Sequence, residues 1–134
     1  MRRRLAMLSA MILFIGGLVG LMGGEAWATP TCSIPVGYVC SYSTTGSTVY
    51  VGNDGSGYMD ISVCDTKADG DSAYDWYNIG SSTHQPTNRQ ETSQGNGTCT
   101  SAILYYTSQI TTEACRDISG NPDNCSGWVH MVRS

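Results

Sequence analysis

Tyr58-Met59-Asp60-Ile61-Ser62-Val63-Cys64 sets Met59, Ile61 and Val63 on one side of an extended chain and Tyr58, Asp60 and Ser62 on the other. Apolar residues at every second position mark a strand with one face buried. The same reading extends outward. Residues 74–79 alternate Tyr74, Trp76 and Asn78 with Asp75, Tyr77 and Ile79, so each face carries an aromatic ring. Further strands are expected over residues 36–42, 47–52, 101–110, 112–118 and 127–132. Turn chemistry separates them: Asn53-Asp54-Gly55, Asp69-Gly70-Asp71, Gly80-Ser81-Ser82, Gly95-Asn96-Gly97 and Gly120-Asn121-Pro122-Asp123. These residues supply positive φ or local side-chain hydrogen bonds at chain reversals. No window shows the 3.6-residue apolar period of a helix. The spacing therefore predicts an all-β fold, a small antiparallel β-sandwich or partly closed barrel stapled by three disulfides. Residues 81–97 are polar and read as a long mobile loop.

The first 28 residues differ in kind. Arg2, Arg3 and Arg4 open a cationic start, an apolar run follows from Leu5 to Met22, and Ala26-Trp27-Ala28 offers small residues for cleavage. This is the pattern of a secretory signal peptide. Gly16, Gly17 and Gly20 in the run, with Gly23 and Gly24 just after it, weaken it as a membrane helix, and no basic cluster follows as a stop-transfer flank. Residues 1–28 are thus expected to be a leader and residues 29–134 a single disulfide-stabilised β domain, secreted and extracellular, with no membrane contact after cleavage.

The exported part carries four basic residues, Lys67, Arg89, Arg116 and Arg133, against ten acidic ones, a net charge of −6. Scattered cations on an acidic domain do not make a phosphate-binding surface, so no nucleic acid partner is expected. Its only leucine is Leu104, and it has no phenylalanine. So lean a chain would read as disordered without covalent staples. Cys32, Cys40, Cys64, Cys99, Cys115 and Cys125 supply them, an even set in an oxidising compartment. The sequence leaves their pairing open. Neighbour with neighbour is the expectation, closing two short turn-containing loops and one long link, Cys64 with Cys99. In the loop-entropy account these closures destabilise the unfolded chain by roughly 9 kcal/mol. No CxxC pair is present and neither His84 nor His130 stands at finger spacing, so metal binding through the cysteines is not expected.

Val63-Cys64-Asp65-Thr66-Lys67-Ala68-Asp69-Gly70 followed by Tyr74, and Cys115-Arg116-Asp117 followed by Asp123-Asn124-Cys125-Ser126-Gly127-Trp128-Val129, resemble segments of small secreted disulfide-bonded actinobacterial proteins of unknown function. The resemblance covers the C-terminal two thirds. It implies the scaffold and no activity. Against that pattern Cys32 and Cys40 look like an added bridge, and Arg116 stands where an acidic residue is expected.

Asp65, Asp69, Asp71 and Asp75 invite a calcium reading. An EF-hand loop starting at Asp65 would have Gly70 correctly placed, but Lys67 sits at the third position and Trp76 at the twelfth, where carboxylates belong. A weaker site at the Asp69-Gly70-Asp71 turn stands against the simpler reading of a solvated hairpin turn. Tyr74, Trp76, Tyr77, Tyr105, Tyr106 and Trp128 could offer faces to sugars or proteins. A core this poor in leucine also needs rings, Trp76 and Trp128 first. Catalytic groups are sparse: Glu113, Arg116 and His130 could in principle serve a small ribonuclease, and Arg116 or Arg89 a protease inhibitor. Both Asn-X-Ser/Thr sequons read as chance matches. The chain is expected to be a non-catalytic extracellular binding or assembly module without cofactor or metal. Its expected partner is an extracellular protein or glycan, met at Asp69, Asp71 and Asp75 or at Tyr105 and Tyr106.

Overall fold

The computed structural model describes residues 29–80, 87–92 and 95–134. The leader expectation lies outside the described residues, as does His84. Among these residues ten strands make two sheets: β1 (Thr31–Ile34), β2 (Val39–Thr44), β3 (Ser47–Asn53), β4 (Met59–Asp65), β5 (Ala73–Ile79), β6 (Asn88–Glu91), β7 (Cys99–Leu104), β8 (Gln109–Arg116), β9 (Asn124–Cys125) and β10 (Val129–Arg133). One sheet runs β1-β10-β8-β5-β6 with β9 also on β8, and the other runs β2-β3-β4-β7. The fold is a sandwich of open sheets, not a closed barrel.

The alternation that begins at Met59 carries through. Met59, Ile61 and Val63 point inward and meet Asn53, Val51 and Val49 across the β3–β4 ladder. The facing sheet adds Ile34, Ala73, Ile110, Ala114 and Met131, all essentially unexposed. Among the described residues the core contains no buried tryptophan. Trp76 and Trp128 are only half-buried, so the interior role expected of them falls to aliphatic and methionine side chains.

The cysteines pair Cys32–Cys40, Cys64–Cys99 and Cys115–Cys125. Two of the bridges join residues directly opposite each other on neighbouring strands, Cys64 with Cys99 and Cys115 with Cys125. Cys32–Cys40 instead ties β1 of one sheet to β2 of the other.

One strand was not expected and two expectations are corrected. Residues 31–34 form β1, which pairs parallel with β10, a partner nearly 100 residues away in sequence. Residues 101–110 do not form one strand: β7 ends at Leu104, the chain turns through Tyr105–Ser108 and enters the other sheet as β8. Within 81–97, Asn88–Glu91 is a strand, with Arg89 opposite Trp76 and Gln90 opposite Asp75. Residues 81–86 and 93–94 of the expected loop lie outside the described residues.

Candidate functional site

The sheets bring ionisable residues to opposite ends of the sandwich. At the first end, β8 delivers Arg116 on its inward face. Its Nη2 donates to Asp71 Oδ2 at 2.7 Å and to Asp69 Oδ2, and the residue is 7% exposed. Lys67 adds a 3.2 Å ion pair to Asp69. Gly46 makes this possible, because a Cβ there would stand 2.5 Å from Arg116 Cδ. Burial pushes the Asp69 carboxyl up, but the Arg116 guanidinium, the Asp71 amide and Lys67 outweigh it and hold it below the usual carboxylate range. The acidic turn is therefore matched by an internal cation. A guanidinium occupies the place where bound calcium would have to compete. Arg116, out of pattern in the resemblance, serves as this counter-charge.

Asp75 does not belong to that surface. It faces inward beside Ala114, is 0% exposed, and accepts from the Gln90 backbone N at 3.3 Å and Gln90 Nε2 at 3.0 Å. Burial pushes its carboxyl up to about 7, the Gln90 hydrogen bonds opposing. Tyr42, also inward, donates to Thr112 Oγ1 at 2.6 Å, and burial raises its hydroxyl well above the ordinary range. These groups form a polar layer inside the sandwich.

The outer face of the same sheet carries Tyr74, Trp76 and Arg89. The Arg89 guanidinium lies 4.0 Å from the Tyr74 ring centre and 5.8 Å from that of Trp76, and pairs with Glu91 at 3.1 Å. Tyr74 donates to Asp123 Oδ2 at 2.5 Å, and burial together with that carboxylate raises its hydroxyl. Glu113 sits on this outer face and Arg116 on the inner one, since they stand three positions apart, an odd offset, on one strand. The Glu113, Arg116 and His130 set is thus split across the sheet. Arg116 and Arg89 are both engaged, so neither stands free as an inhibitor's specificity residue. Glu113, Cys115 and Cys125 are the one grouping of metal-ligating residue types among the described residues, and both cysteines are in a disulfide.

The other end of the sandwich is built by the β1–β2, β3–β4 and β7–β8 loops and the end of β10. Tyr58 meets Tyr105 edge-on at 5.0 Å and Tyr106 at 5.6 Å between ring centres. A hydrogen bond with Tyr106 raises the Tyr58 hydroxyl, with burial and Tyr105 adding. Tyr105 is 64% and Tyr106 85% exposed. Tyr106 holds φ of 54°, the single non-glycine residue at positive φ among those described. A bulky side chain in that region is strained, and such strain gathers at functional sites.

Beside these rings lies a cleft of about 260 Å³ lined by Val36, Asn53, Gly55, Gly57, Arg133 and Ser134. Arg133 continues the inward alternation of Val129 and Met131 to the mouth of the core. Its Nη1 is buried without a hydrogen-bond partner. Sequence reading brought Tyr105 and Tyr106 forward but missed Tyr58 and Arg133. The period of β10 was the available signal for Arg133, which scattered charge had masked. Comparison of the chain with protein-family models, with curated proteins and with solved structures found no match.

Proposed function

We propose that this chain is a secreted, non-catalytic binding module, exported by its first 28 residues, that recognises an extracellular protein or glycan with the end of the sandwich bearing Tyr58, Tyr105 and Tyr106. One observation carries the reading: three tyrosines meet edge-on at a loop end, two of them largely exposed and one in a strained backbone conformation. Tyrosine offers a rigid, amphipathic contact surface at low entropic cost. Three disulfides in a small all-β chain are consistent with an oxidising, extracellular setting.

The acidic turn is the weaker candidate surface, since Asp69 and Asp71 already have Arg116 and Asp75 is interior. The ribonuclease and inhibitor readings lose support for the same geometric reason, their residues being split or engaged. The test is retention of the oxidised, secreted protein on cell-wall polysaccharide, glycan arrays and secreted proteins of its source, before and after Tyr105→Ala with Tyr106→Ala. Specific retention lost in the double variant, but kept in Asp71→Ala, supports the assignment. Retention that survives the tyrosine changes moves the site elsewhere.

A further inference from the structure

The described residues include four basic side chains, and three have carboxylate partners: Lys67 with Asp69, Arg89 with Glu91, and Arg116 with Asp69 and Asp71. Arg133 has none among the described residues, although it lies on the inward face of β10 with Nη1 buried and unbonded. Leaving a charged donor desolvated and unmatched is costly. The arrangement fits a group that arrives from outside.

The surroundings say what that group is. Arg133 lines the 260 Å³ cleft with Gly55 and Gly57. Gly57, with φ of 95°, lies against the guanidinium: a Cβ there would stand at ordinary contact distance, 3.8 Å, from Arg133 Nη1. A guanidinium fork pairs bidentately with the oxygens of a carboxylate or a phosphate, and on so acidic a domain the singly charged carboxylate is the better fit. The cleft also adjoins the rings: Gly57 precedes Tyr58, their Cα atoms ~3.8 Å apart. In addition, the Arg133 backbone N–H donates at 2.9 Å to Ser108 O, in the turn that carries Tyr105 and Tyr106.

Resting on the tyrosine-end reading above, we propose that the Arg133 cleft is a carboxylate subsite, and that the ligand is a glycan with an acidic sugar whose ring stacks on the tyrosines while its carboxylate meets Arg133. Flat exposed rings beside a single cation suit a sugar ring carrying one charge. The domain's net charge of −6 repels dense polyanions, so the chemistry favours isolated uronic acids over highly sulfated chains.

The probes are a glucuronic-acid-terminated trisaccharide, its methyl ester and a glutamate-containing tetrapeptide, titrated by calorimetry into the oxidised, secreted protein. The acid is expected to bind about tenfold or more tightly than the ester. Arg133→Gln should abolish that difference, and Arg133→Lys restore part of it. Amide shifts at Gly55, Gly57 and Ser134 of the unmutated protein should follow the acid and not the ester, a readout that stands even where the variants fold poorly. Equal binding of acid and ester, lost in the Tyr105→Ala and Tyr106→Ala variant, would overturn the carboxylate subsite and leave the tyrosine reading intact. Arg133-dependent binding of the peptide alone would overturn the glycan assignment. Binding of none of the three, or shifts elsewhere on the domain, would overturn the subsite.

Discussion

Arg116 and Arg133 enter the space between the sheets from opposite ends of the same sheet, and among the described residues carboxylates meet only Arg116. β8 and β10 run antiparallel with Gln109 opposite Val132, so the last residue of each strand lies at a different mouth of the sandwich. One end is electrostatically closed by its own acidic turn. The other presents an unmatched cation beside exposed tyrosines. That asymmetry separates a charge-paired end from the end proposed above for recognition.

The closed end is expected to matter for stability. Arg116→Met removes the cation that faces Asp69 and Asp71, and should lower Tm by roughly 10 °C, since each kcal/mol lost shifts a domain of this size by about 4–8 °C. Arg133→Gln should change Tm by much less. Thermal melts of both variants followed by circular dichroism check the contrast; equal losses would mean that Arg116 has no special structural role.

The disulfides should rank by the loop they close. In the loop-entropy account the 35-residue separation of Cys64–Cys99 contributes about 4 kcal/mol and the 8-residue separation of Cys32–Cys40 about 2.5 kcal/mol. Serine pairs at each site, compared by urea titration, should reproduce that order, and full reduction should remove the near-UV dichroism. Persistence of that signal in excess reductant at neutral pH would show that packing alone holds the fold.

Asp75 should make stability fall as pH rises. Burial lifts its folded value to about 7, above the ordinary ~3.9, so folding takes up a proton between these values. Its contribution is complete below about pH 4, declines as pH approaches 7 and is level above that, a span of up to about 4 kcal/mol. Asp69, held low by Arg116 and its neighbours, acts in the other direction and in a lower window, losing its contribution only as pH falls through its depressed folded value. Asp75→Asn should flatten the difference profile from pH 4 to 7 and melt higher than the parent at pH 8. The buried, unpartnered Gln90 Oε1 adds a reason, because a neutral acid or amide at position 75 can donate to it after rotation of the Gln90 amide. An unchanged pH profile in the variant would show that Asp75 does not titrate in this range.

Tyr106 should be dispensable for folding. Asparagine tolerates the left-handed backbone that a bulky ring occupies there at φ of 54°, so Tyr106→Asn offsets the lost Tyr58 contact with relieved strain. Its Tm is expected within about 4 °C of the parent, while ligand retention falls at least severalfold. A large loss of stability would make the ring a packing element instead.

The tyrosine end also shows how far sequence reading reached. Tyr105 and Tyr106 stood out as adjacent rings, but the strand expected over residues 101–110 hid the turn in which they sit. No glycine or proline marks that turn, and Tyr106 itself adopts the positive φ that glycine would supply. β6 was hidden for a related reason. Asn88–Glu91 has no apolar face, and it is a strand because it pairs with β5. β1 needed a partner almost a full chain length away. Asp75 was grouped with Asp69 and Asp71 by proximity in sequence, whereas the strand's period of two turns it into the core.

By itself the sequence determined what is local: the alternation from Met59 to Val63, most of the turns and the all-β class. It also held the even cysteine set, whereas the pairing, left open by the sequence, was decided by which strands the fold sets together. Only the tertiary structure decided that Arg116 would be neutralised and Arg133 left unmatched. Charge pairing depends on which strand ends the two sheets bring together, and no local pattern encodes that.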